Sequence, residues 1–189
     1  MEMIQCLPGG DSRMKMPNQG EKGACGGDAG VSIVLSDEAS VELDLWWDRL
    51  SAVRFFSFDS RSGERSTTGW GGHAEGTVEV HFEGSLLVWN ERCEYQASEG
   101  GPVLLLRNVF VWERAPSGGI RLSHRRRQVP VFLLELVPDG RGGLMPFAQH
   151  LCGADVYQLF LRMDKNRIEA SWIIDGPKKQ ERLGYHYWQ

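Results

Sequence analysis

From residue 53 onward, apolar and polar residues alternate in short runs separated by turn-forming residues. A period of two puts successive side chains on opposite faces of a strand. The runs 53–59, 76–82, 85–97, 103–114, 120–126, 129–137, 156–163, 167–175 and 181–188 each predict a strand. Between them lie Ser60-Arg61-Ser62-Gly63, Glu83-Gly84, Gly100-Gly101-Pro102, Pro116-Ser117-Gly118-Gly119, Asp139-Gly140-Arg141-Gly142-Gly143 and Asp164-Lys165-Asn166, all rich in turn residues. One helix is predicted, over 37–50. Ser36 is placed to cap it, and Asp37 and Glu38 complement the positive end of its dipole.

About nine strands with hardly any helix between them imply an antiparallel meander. A meander this long hides its edges by closing on itself. The expected fold is mainly β: an antiparallel, lipocalin-like barrel of about 8–10 strands, with the short N-terminal helix plugging or flanking one end.

Composition sets the limits. Every Trp, Tyr and Phe lies at or after Trp46, whereas the first 35 residues hold clustered glycines, two prolines and scattered charges. Such a stretch buries too little apolar surface to offset its ordering entropy. The expected organisation is a flexible Gly-rich leader over 1–35 and a single barrel domain over 36–189. Gly26-Gly27-Asp28-Ala29-Gly30 lacks the Lys-Ser/Thr of a phosphate loop, and no strand precedes it.

Twenty-one basic and 25 acidic residues leave a net charge of −4, which speaks against nucleic acid as a partner. The short run Arg125-Arg126-Arg127 reads as a solvated strand end. No apolar run is long enough to span a bilayer and no secretory signal opens the chain, so neither a membrane partner nor export is expected. Cys6, Cys25, Cys93 and Cys152 form no C-x-x-C pair and no zinc-ligand spacing. Free thiols in the cytoplasm are the expectation, with no metal and no cofactor.

The last forty residues carry two motifs. His150-Leu151-Cys152-Gly153-Ala154-Asp155-Val156-Tyr157 resembles the H-L-C-x-x-D-x-Y signature of the domain of unknown function family 6314. Trp172 followed by Gly176-Pro177-Lys178-Lys179 resembles that family's W-x-x-x-G-P-x-K-D segment, and Tyr185 and Tyr187 sit in a final aromatic strand. Looser agreement upstream, at 69–78 and at Arg107, Phe110 and Trp112, extends the resemblance over about 50–189. The resemblance implies a compact calycin-type barrel and no particular activity. Two positions depart from the pattern: Gln180 stands where the family has Asp, and Phe132-Leu133 stands where it often has Phe-His. Any chemistry that histidine performs in relatives is lost here.

Asp155 and Tyr157 share a strand face with Leu159, Leu161 and Met163. An Asp beside a Tyr above an apolar row is a candidate acid–base pair, because desolvation lifts a carboxyl toward neutrality. His150 is the third candidate catalytic group, titrating near neutrality by nature. The competing structural roles are a turn cap for Asp155, a hydroxyl tie for Tyr157 and a loop anchor for His150. Cys152 reads as a small buried apolar group.

Arg107 falls in the row Val103, Leu105, Val109, Val111, where a cation must pair, leave through a barrel end or meet an anion. Arg92 poses the same question. With Trp89, Trp112, Tyr95 and Trp172, these two arginines form the expected ligand-binding set; Trp70 joins the other tryptophans as core. The expected function is binding a small, partly apolar ligand inside the barrel, anionic if the arginines hold it. The alternatives are an enzyme doing isomerase, cyclase or lyase chemistry in that cavity, and a filled barrel serving as a protein-interaction module.

Overall fold

The computed structural model describes residues 37–67, 71–97 and 103–189. The leader, Cys6, Cys25, the Ser36 cap, the glycine cluster at 26–30 and Trp70 lie outside the described residues. The elements run α1 (Asp37–Ala52), β1 (Phe55–Ser62), β2 (Gly72–Glu83), β3 (Leu86–Ala97), β4 (Leu104–Arg114), β5 (Ile120–Arg126), β6 (Val129–Pro138), β7 (Gly143–Pro146), β8 (His150–Cys152), β9 (Asp155–Asp164), β10 (Arg167–Gly176) and β11 (Lys179–Trp188).

Each of the nine predicted strands is present. The order β10-β11-β1-β2-β3-β4-β5-β6-β7-β9, closed by a further β9–β10 pairing, makes a ten-stranded antiparallel barrel, and β8 adds an extra strand beside β9. Closure supplies every strand of the ring with two neighbours, so backbone donors and acceptors are met along the wall.

The strand bounds differ from expectation: β2 begins at Gly72, four residues before its predicted run, and β11 at Lys179, two before its own. Ser60 to Ser62, read as a turn, continue β1 and pair with Leu183 to Glu181 of β11. The stretch 144–153, read as a loop, instead holds β7 and β8. β7 and β8 both lie along β9, at Leu144↔Leu161 and His150↔Tyr157. Pro146 ends the first piece, since proline cannot donate to a ladder.

Side chains facing inward form one continuous core, with Trp46, Phe56, Phe58, Trp89, Trp112, Trp172, Tyr185 and Tyr187 as its rings. Rings pack through it: Phe58 stacks on Tyr185 at 5.1 Å, Tyr187 lies tilted against Trp89 at 5.0 Å, and Trp89 meets Trp112 edge-on at 5.2 Å. Where the wall must bend, β6 carries an extra residue. Leu122 faces Leu134 but Ser123 faces Phe132, leaving Leu133 bulged, and both leucines are buried. In β2, Gly76 sits where a Cβ would meet Arg92 O at 2.3 Å and the Phe56 ring at 2.7 Å, so glycine lets β1 and β3 lie close against β2.

α1 closes one end. Its Trp46 and Leu50 are wholly buried in the core, and the Trp89 indole N–H donates to Leu50 O at 3.1 Å. Outside, Arg114 at the end of β4 bonds Asp44 at 2.6 Å and lies 5.0 Å over the Trp47 ring. No helix of the described residues is long and apolar enough to cross a membrane.

Candidate functional site

The end opposite α1 is where β9 begins, β10 ends and β11 begins. Alternation turns Asp155 and Tyr157 of β9 inward there, and Lys179 of β11 meets both. Its ammonium lies 2.7 Å from Asp155 Oδ2 and donates to Tyr157 Oη at 2.8 Å. Lys179 and Asp155 each keep about a fifth of their side-chain surface in water, while Tyr157 is buried. Burial works against the charge of Lys179. The bonds to Asp155 and Tyr157 outweigh it and hold its pKa above the usual lysine value.

The β10–β11 turn makes this possible. A Cβ on Gly176 would stand 2.0 Å from Asp155 Oδ1, so only glycine leaves the carboxylate its place beside Lys179. The two motif stretches, 150–157 and 176–179, therefore converge on one cluster. His150, across the ladder from Tyr157, completes it with its ring edge-on at 5.9 Å. Burial lowers the His150 pKa and favours its neutral form.

Below this cluster are Leu159, Leu161 and Trp172, then a void walled also by Trp89, Phe110, Trp112, Leu122, Ile168, Ala170 and Tyr187. The space there open to water-sized spheres is about 10 Å³, room for about one water. Trp89, Trp112, Tyr95 and Trp172 are all buried core residues.

The arginines are not inside. Arg107 and Arg92 face each other across β3 and β4, exposed on the outer wall, and among the described residues neither has an ion-pair partner. The inward row of β4 is instead Leu106, Asn108, Phe110 and Trp112. Neither arginine is placed to hold the polar end of an interior ligand.

Sequence reading missed the charged group that the interior does hold. Glu91 of β3 is buried, accepting hydrogen bonds from Tyr187 Oη at 2.8 Å and Asn108 Nδ2 at 3.1 Å. Burial pushes its pKa up to about 7, although both hydrogen bonds pull the other way. Its neighbours respond: the Cys93 thiol is pushed up to about 12 by burial and by Glu91, which removes Cys93 as a nucleophile. Glu181 of β11 is a second buried carboxylate, bonded by Ser62 Oγ at 2.6 Å and by Ser66 Oγ. Among the described residues no group of three or more His, Cys, Asp or Glu side chains could hold a metal ion.

A ten-stranded barrel stoppered by a helix, with a lysine–carboxylate–phenol cluster at its other end, defines a helix-capped antiparallel β-barrel class. The chain belongs to a family of unknown function (DUF6314), matched over residues 58–189, which takes in β2 to β11 and most of β1. The comparisons with curated proteins and with solved structures find no match.

Proposed function

We propose that this barrel binds a small, partly apolar ligand at the end opposite α1. The Lys179–Asp155–Tyr157 cluster would take the ligand's polar end at the barrel mouth. The aromatic interior beneath has room for about one water, so the ligand's apolar end would enter it only by moving the side chains that fill it. The single observation that supports this is a half-buried cation held by a carboxylate and a phenol directly above an apolar floor. Fixed polar groups over apolar walls are what small-molecule sites are made of. An anionic ligand would exchange with Asp155 for the Lys179 ammonium; Arg107 and Arg92 have no part in this.

The test is native mass spectrometry of freshly purified full-length chain, with Lys179→Met and Tyr157→Phe beside it. The wild-type chain is expected to carry a small organic adduct that Lys179→Met loses, with both variants still folded by circular dichroism. A wild-type chain without an adduct, or an adduct retained by Lys179→Met, counts against the site.

A second reading, acid–base catalysis of the isomerase, cyclase or lyase kind, draws on one contact. Lys179 Nζ on Tyr157 Oη stabilises the negative charge that develops as a phenol gives up its proton, and His150 lies beside it as a neutral partner. Under this reading Tyr157→Phe keeps the adduct but stops its conversion.

A further inference from the structure

A surface concavity lies outside the barrel, behind the β10–β11 turn. It is a groove of about 390 Å³ lined by Arg61, Ser62, Gly63, Glu64, Gln180 and Arg182. Arg61 of β1 and Arg182 of β11 stand directly opposite each other in the ladder. Like charges in that relation repel, so their pairing costs stability unless an anion lies between them.

Arg182 is already oriented. One guanidinium nitrogen donates to Glu181 O at 2.9 Å and another meets Asp175 Oδ2 at 3.1 Å. Arg65 shares the same carboxylate at 3.6 Å. Among the described residues Arg61 has no ion-pair partner, whereas Arg65 and Arg182 share Asp175. Gln180 adds an amide. Its side chain lies across Gly63, where a Cβ would meet Gln180 Oε1 at 2.3 Å, and that oxygen accepts from Arg65 N at 3.5 Å. Gln180 lines the groove together with Arg61 and Arg182.

We propose that this groove binds a small phosphate-bearing anion, with Arg61 and Arg182 gripping its oxygens and Gln180 completing the donor set. Guanidinium forks match phosphate oxygens two at a time, which lone lysines do not. The groove is larger than a single small anion needs, so a pyrophosphate or a phosphate ester is the class rather than a bare monoanion. Asp175 is the internal competitor, occupying Arg182 and Arg65 until the anion arrives.

The test is titration of the full-length chain with inorganic pyrophosphate at fixed ionic strength, followed by backbone amide NMR, with chloride and sulfate as controls. Pyrophosphate is expected to shift the amides of Arg61, Gln180 and Arg182 together. Arg61→Gln and Arg182→Gln should each weaken binding by about tenfold, the scale of one charge-assisted contact. Asp175→Asn should strengthen it several-fold by freeing the arginines, an outcome that simple charge screening does not produce without the groove. Sulfate binding as well as pyrophosphate, shifts spread over the other exposed arginines such as Arg92 and Arg107, or an Asp175→Asn chain that binds more weakly would each overturn the proposal.

Discussion

Glu91 is where a single residue sets a property of the whole chain. The unfolded carboxyl has a value near 4.5 and the folded one near 7, so the native state holds the proton over that interval and the unfolded state does not. Stability is therefore full below about pH 4.5, falls as pH rises toward 7 and levels off above it. That interval corresponds to about 3 kcal/mol. The groups facing Glu91 are Tyr185 and Tyr187 of β11, Cys93 of β3 and the non-titrating Asn108 of β4. The three titrating neighbours are pushed up by burial and stay uncharged through this range. Glu91→Gln should remove the fall, giving a melting temperature nearly flat in this limb; a variant whose profile tracks wild type would place the titration elsewhere. The alternation in β3 already held the clue, because position 91 shares the parity of Leu87, Trp89, Cys93 and Tyr95. Asp155 and Tyr157 were legible together because their spacing at the head of β9 keeps them on one side, whereas His150 reaches Tyr157 from β8, across the ladder. Lys179 was visible only as part of a turn motif, since nothing in the chain shows which carboxylate lies across the barrel from it. Arg107 was assigned to the wrong face because both rows of β4 are apolar, and hydropathy alone cannot choose between them.

Among the elements, the long strands were readable and the short ones were not. The hairpin β9–β10 follows from two alternating runs about Asp164-Lys165-Asn166, and its ladder runs from Arg167↔Asp164 to Asp175↔Val156. β7 and β8 have too few residues to display a period, and the glycines at 140–143 with Pro146 disguise them as loop. Ser60 to Ser62 are polar on both faces at the rim, so pairing to β11 is the only thing that makes them strand. The β5–β6 hairpin gives an element-scale prediction. Arg126 pairs with Val129, and the two residues between, Arg127 and Gln128, both have positive φ, at 46° and 70°. That is the backbone of a two-residue turn that prefers Asn-Gly, and L side chains adopt it at a cost. Arg127→Asn with Gln128→Gly should stabilise the chain by about 1 kcal/mol, raising the denaturant midpoint with an unchanged slope. A midpoint that falls would mean the arginine contributes more at the tip than its backbone costs.

At the scale of the molecule, a closed wall still needs a floor, and α1 provides it. Trp46 and Leu50 fill the end of the barrel from a helix that belongs to no strand pairing, so the ring of strands and the helix share one core. Truncating a buried tryptophan costs about 3–5 kcal/mol, a large part of what a domain this size has to spare. Trp46→Ala should therefore lower the melting temperature steeply and expose the rings around Trp89 to a hydrophobic dye. Removal of residues 1–35 should leave the melting temperature where it was, since the expected leader adds nothing to that core. A chain beginning after α1 should lose the cooperative transition altogether. Such a chain melting like the full-length protein would mean that the strands pack without their stopper; a fall on removing 1–35 alone would mean that the domain begins earlier than Ser36.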